Sequence, residues 1–100
     1  NYESKNKYSK NHMEIIKKWI NHSKKNNYEL IFSTISSKNG DFDDYDKFHN
    51  FVSQNNGISI SFDDYIKEKN ISRKSLFWRA DGHLNARGNR TYAEFLKSKL

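Results

Sequence analysis

The sequence contains no cysteine. That excludes disulfides, thiolate nucleophiles and cysteine-ligated zinc, and leaves the redox compartment open. It contains no proline, only 4 glycines and a single methionine. Helices therefore lack their strongest internal breaker, and turns must draw on Asn, Asp and the few glycines. Apolar residues are scarce, at 34% even with tyrosine counted, against about 45–50% in ordinary globular domains. A 100-residue chain of this composition buries a thin core, and gains from a further covering surface, either another chain or more of its own domain. No apolar run approaches the ~20 residues that cross a bilayer.

Charge is plentiful. The 18 Lys and Arg outweigh 12 Asp and Glu, for a net charge of +6 and a pI of ≈ 9.5. Such a balance suits nucleic acid or an anionic surface. The lysines, however, are interleaved with acids along the whole chain and read as a solvated exterior. Tyr2, Lys5, Lys7, Tyr8 and Lys10 have the ingredients of a single-strand binder, but no nucleic-acid motif accompanies them. Nucleic acid is not an expected partner, and residues 1–8 read as a polar arm or linker. Aromatic residues, 15% of the chain, argue for an ordered core, because disordered chains are poor in them.

From Ser9 the pattern becomes helical. Met13, Ile16, Trp19 and Ile20 recur at helical spacing, Lys17, Lys18 and Lys24 face outward, and Ser9 or Asn11 is the candidate cap. This helix should fade near Asn26–Asn27. Tyr28 to Ile35 reads as a strand, and its Leu30-Ile31-Phe32 run implies burial on both faces, as in a parallel sheet. A turn is expected at Asn39-Gly40. A second helix follows from Asp43 to Asn55, with Tyr45, Phe48, Phe51 and Val52 inward. Asp43, Asp44 and Asp46 suit the positive end of its dipole. Read instead as a calcium loop from Asp41, the stretch puts Asp46 and Val52 where Gly and Glu are needed, so the helix start is preferred. Asn56-Gly57 ends this helix. Ile58 to Phe62 alternates as a second strand, Asp63 to Asn70 is a short helical turn, and Ala86 to the end is a last helix with Tyr92, Ala93, Leu96 and Leu100 as its stripe. The order is α/β and predicts two parallel strands joined by a crossover.

The chemistry concentrates in Phe77 to Leu96. Asp81 and His83 are two apart, so in an extended stretch their side chains point the same way. The carboxylate can then hold one ring nitrogen and leave the other to take a proton from a hydroxyl. Gly82 permits a tight path between them, Asn85 can cap the last helix, and Gly88 allows a close backbone approach in its first turn. The blander reading is a surface Asp-Gly turn. His12, His22 and His49 lack metal-ligand spacing and read as surface or core-edge residues. Trp19 reads as core. Phe77 and Trp78 lie just before the candidate pair, where they can line a pocket.

Asp-Gly-His-Leu-Asn, two residues, Gly and an amphipathic helix together resemble the final block of SGNH/GDSL-type serine ester hydrolases. The resemblance implies the C-terminal part of a three-layer flavodoxin-like domain, with His83 as general base, Asp81 as its orienting acid, and Gly82, Asn85 and Gly88 in support. It implies hydrolysis or transfer of an acyl ester, carried on carbohydrate or lipid, with no metal or organic cofactor. Two departures stand out. One residue separates Asp81 from His83 where the commoner family form has two, a spacing similar to that of bacterial members that include cell-surface, extracytoplasmic acyl hydrolases and transferases. The Gly-Asp-Ser nucleophile block and the oxyanion-hole residues are absent, since Gly40-Asp41 is followed by Phe42 and nothing around Ser36 or Ser37 resembles a nucleophile elbow. These parts, the N-terminal part of the same domain, are expected upstream of Asn1. The alternative is a small basic interaction module whose Asp-Gly-His is a structural turn.

Overall fold

The computed structural model describes residues 2–38 and 43–100, with side chains described for 10–38 and 45–100. The expected turn at Asn39-Gly40, the Gly40-Asp41-Phe42 stretch and the side chains of Asp43 and Asp44 lie outside the described residues.

In chain order the elements are α1 (Tyr2–Lys25), β1 (Ile31–Thr34), α2 (Asp43–Gln54), β2 (Ile58–Ser61), α3 (Phe62–Glu68), a 3-10 turn (Arg73–Leu76) and α4 (Ala86–Lys99). The strands are parallel, in register from Ile31 opposite Ile58 to Thr34 opposite Ser61, as the α/β alternation predicts. Side-chain alternation sends the two faces of the sheet to different helices. Phe32 joins Ile16 and Ile20 of α1 and Val52, Phe48 and Phe51 of α2. Ile35 and Ile60 pack instead on Phe62, Tyr65, Ile66, Leu76, Phe77 and Phe95. Helices thus cover both faces. The second cluster is largely aromatic: Phe62 lies 5.2 Å from Tyr92 and 5.5 Å from Phe95, centroid to centroid, within the range of favourable ring contacts.

Several boundaries differ from the sequence expectation, each for a physical reason. Helix α1 starts at Tyr2 and runs through Ser9 and Asn11, so neither residue caps it. With no Pro or Gly ahead of Ser9, nothing stops a helix from propagating toward the N-terminus. Its C-terminus falls as expected, with Asn27 in the left-handed region at φ 56. Strand β1 is shorter than Tyr28–Ile35 because its ladder can run only as far as its partner. Beyond Ser61 the partner becomes α3, whose first residue, Phe62, was expected at the end of the strand. Ser61 Oγ caps that helix by accepting from the Asp64 N–H at 3.2 Å.

Trp19 is not core. It is 54% exposed and stacks on Phe32 at 6.4 Å, because it sits on the shoulder of α1 while Ile16 and Ile20 take the central contacts. In α4 the buried residues are Gly88, Thr91 and Phe95. Tyr92 and Leu96 flank that stripe, while Ala93 and Leu100 are exposed. The inward face is thus centred on Phe95 rather than on Tyr92, Ala93, Leu96 and Leu100.

Gly88 brings α4 against the 3-10 turn. A Cβ there would overlap the Leu76 carbonyl oxygen and come within 2.8 Å of Leu84 Cδ2. Backbone cannot give way as a side-chain end can. Gly88→Ala should therefore destabilise the chain by about 1–3 kcal/mol, the usual range for overpacking, seen as a lowered urea midpoint by circular dichroism. An unchanged midpoint would contradict this close approach.

Candidate functional site

The segment from Phe77 to Leu84 is a loop closed like a hairpin. Phe77 and Leu84 form an isolated antiparallel bridge, and the Trp78 N–H donates to the His83 carbonyl at 2.9 Å. Asn85 fastens its base. The Asn85 N–H donates to Leu76 O at 2.9 Å, its Nδ2 donates to Ser75 O at 3.0 Å and Phe77 O at 3.2 Å, and its Oδ1 accepts from the Gly88 N–H at 2.8 Å. The cap expected from the sequence is present, and the same side chain also ties the 3-10 turn to the loop.

Asp81 and His83 sit at the tip. Asp81 Oδ1 accepts from the His83 N–H at 2.9 Å and lies 3.4 Å from His83 Nδ1. The first contact is a turn bond. The second is within ion-pair range but long for a hydrogen bond. The imidazole is 88% exposed and the carboxylate 57% exposed, so water screens whatever they exchange. No described partner occupies Nε2. Gly82 between them meets nothing within 4 Å at its Cβ position and avoids the left-handed region. The tight path expected of it does not require glycine.

An open cleft of ≈ 670 Å³ joins this loop to the end of β1. Gly82, His83, Leu84, Phe77 and Asn89 form one side, and Ile35, Ser36, Ser37 and Tyr45 the other. Phe77 is also buried in the core, so it contributes a fixed wall. Trp78 stands exposed on the loop and does not line the cleft. The C-terminal ends of parallel strands are where α/β sheets gather ligands.

Beneath the cleft lies a network that sequence reading missed. Ser36 is 1% exposed. Its Oγ donates to Asp63 Oδ1 at 2.6 Å and accepts from Arg73 Nη1 at 2.6 Å, while its N–H donates to Asp63 Oδ2 at 3.2 Å. Arg73 Nη2 pairs with Asp63 Oδ1 at 2.6 Å. Ser36 Oγ is thereby held from both sides and is no free nucleophile. Ser37 is exposed. His49, expected at the surface or the core edge, has its Nε2 2.7 Å from Thr34 Oγ1 and its Nδ1 2.6 Å from Ser59 Oγ. It bridges the two strands through hydroxyls, in keeping with a core-edge role. His22 contacts the Tyr28 hydroxyl at 2.8 Å. No set of side chains suited to a metal ion occurs among the described residues.

No family model, curated protein or solved structure matches the chain.

Asn85 and Gly82 should respond differently to alanine. Asn85→Ala removes a cap, typically ~1 kcal/mol, and leaves the Ser75 and Phe77 carbonyls short of a donor, for a total of about 2–3 kcal/mol. Gly82→Ala enters open space and should stay within about 0.5 kcal/mol of the parent. Urea unfolding of both variants measures the contrast. Equal effects would remove Asn85 from its place at the base of the loop.

Proposed function

We propose that this chain is the C-terminal part of a three-layer, flavodoxin-like domain of SGNH type, and that it supplies the acid–base half of a serine ester hydrolase or acyl-group transferase. The observation that supports this most is the shared cleft: His83 and Gly82 face Ser36 and Ser37 across the C-terminal end of β1. Parallel strands, helices on both faces and the capped helix that follows the loop are all compatible with that domain.

The chemistry divides cleanly among atoms. A serine hydroxyl from the remainder of the domain gives its proton to His83 Nε2 while its oxygen adds to the ester carbonyl. The tetrahedral adduct collapses, and the imidazolium returns that proton to the departing alkoxide. An acyl-enzyme remains. Water, or an acceptor hydroxyl in a transferase, repeats the sequence in reverse. Asp81, on the Nδ1 side of the ring, favours the tautomer that leaves Nε2 as the acceptor. Substrates would be acyl esters of carbohydrates or lipids, and these residues need no metal or organic cofactor.

A second reading has its own support. The bond from the His83 N–H to Asp81 Oδ1 is a sufficient reason for Asp-Gly-His to occur as a turn. On that reading the chain is a basic interaction module.

Kinetics separate the two. The 100-residue chain alone should hydrolyse p-nitrophenyl acetate no faster than buffer. In a protein that joins it to a nucleophile block, His83→Ala should lower kcat by about 10³-fold or more. Asp81→Asn should cost less, because a 3.4 Å contact orients the ring weakly. Unchanged kcat in His83→Ala leaves the interaction module standing. Turnover by the chain alone that disappears in Ser37→Ala would move the nucleophile into this sequence.

A further inference from the structure

One side chain that the proposed chemistry does not use ties the segment after β1 to the loop that carries His83. Lys38 follows Ser36 and Ser37 directly. Its Nζ donates to the Trp78 carbonyl at 3.0 Å and to the Arg79 carbonyl at 2.8 Å. Among the described residues, these are the only hydrogen bonds from segment 78–82 to anything beyond the loop itself. The remaining attachments are the loop's own: Trp78 N–H to His83 O and His83 N–H to Asp81 Oδ1.

The base from which Lys38 reaches is rigid. Ser36 is fixed by Asp63 and Arg73, and Arg73 Nη1 also approaches Ser37 O at 3.5 Å. The lysine thus carries the rigidity of a buried network to an exposed loop. Consecutive carbonyls pointing at one spot suit an ammonium, a compact charge with three rotatable donors. Charge-assisted bonds of this kind are stronger than neutral ones. Lys38 directly follows Ser36 and Ser37 on one side of the cleft and is bonded to the loop that carries Gly82 and His83 on the other.

We propose that Lys38 is the positioning residue of the Asp81–His83 loop, a cationic clasp that fixes His83 against the end of β1. Its kinetic consequence rests on the ester-hydrolase reading; its structural consequence does not.

The test has two arms. In the first, amide hydrogen exchange is followed by NMR in the 100-residue chain. Lys38→Met keeps the aliphatic stem and removes the donors. The Trp78 and His83 amides should exchange about tenfold faster or more, while the Val52, Ile66 and Phe95 amides stay unchanged, because only the loop is released. Lys38→Arg, which keeps charge and donors, should restore most of the protection. Unchanged loop amides in Lys38→Met overturn the clasp. So does a uniform acceleration that includes the core, which would make Lys38 merely structural.

In the second arm, the chain is joined to its nucleophile block, and Lys38→Met should lower kcat about tenfold or more with KM little changed, with Lys38→Arg recovering it. If loop exchange accelerates but kcat holds, while His83→Ala abolishes turnover, the positioning role is wrong. If loop exchange accelerates and His83→Ala has no effect on turnover, the clasp stands and the hydrolase reading falls.

Discussion

The site depends first on the side chain of Asn85. Its amide satisfies an N–H at the start of α4 and two carbonyls from the preceding segment, and its backbone N–H satisfies a third. Those groups lie where a 3-10 turn, a loop and a helix meet, and each needs a hydrogen-bond partner there. Only a residue with both donor and acceptor on a short side chain fits. Aspartate could cap the helix but could not donate to the carbonyls. Serine could cap it but could not span all of them. Gly88 completes the junction by removing the one Cβ that would hold α4 away from Leu76.

The second constraint is electrostatic. Asp63 and Arg73 are largely buried, and each ion taken from water carries a desolvation cost that their mutual attraction offsets only with good geometry. Here the geometry is good: both carboxylate oxygens and the Ser36 hydroxyl are used, and no buried side-chain polar atom is left without a partner among the described residues. Such a pair contributes less to net stability than its short distances suggest. What it does supply is registry. It joins the end of β1, the first turn of α3 and the 3-10 turn, so the segment that carries Ser37 and Lys38 leaves the sheet in one direction only.

What the sequence made legible was mostly local. Asn85 as a cap, Gly88 as a close approach and the ends of α2 follow from rules about neighbours three or four positions apart. The parallel pairing follows from the helix between the strands. What it concealed was non-local. Ser36 lies 27 positions from Asp63 and 37 from Arg73, and nothing in their spacing marks the three as partners. His49 looks like any polar residue beside Phe48 until Thr34 and Ser59 come to meet its ring. Trp19 had the periodicity of a core residue. Its exposure reflects the width of the apolar stripe, since Ile16 and Ile20 already fill the contact with Val52 and Phe32. Phe95 was overlooked beside Tyr92 and Leu96 for the same reason: periodicity gives a face, not its centre.

The exposure of the pair decides how Asp81 and His83 can act. In water an exposed ion pair contributes only about 0–1 kcal/mol, too little to hold an imidazole in one orientation against solvent. The backbone does more: the loop is closed at Phe77 and Leu84, fixed below by Asn85 and tied at its shoulder to Lys38. A site arranged this way places the His83 backbone first and leaves its ring to be oriented by whatever surface covers it. Covering the cleft would lower the local dielectric and strengthen the contact with Asp81. Trp19 on α1 and Trp78 on the loop stand in water, apolar surface that a neighbour could cover. An oriented imidazole and a covered cleft would therefore arise together, whereas in the open cleft water sets the ring.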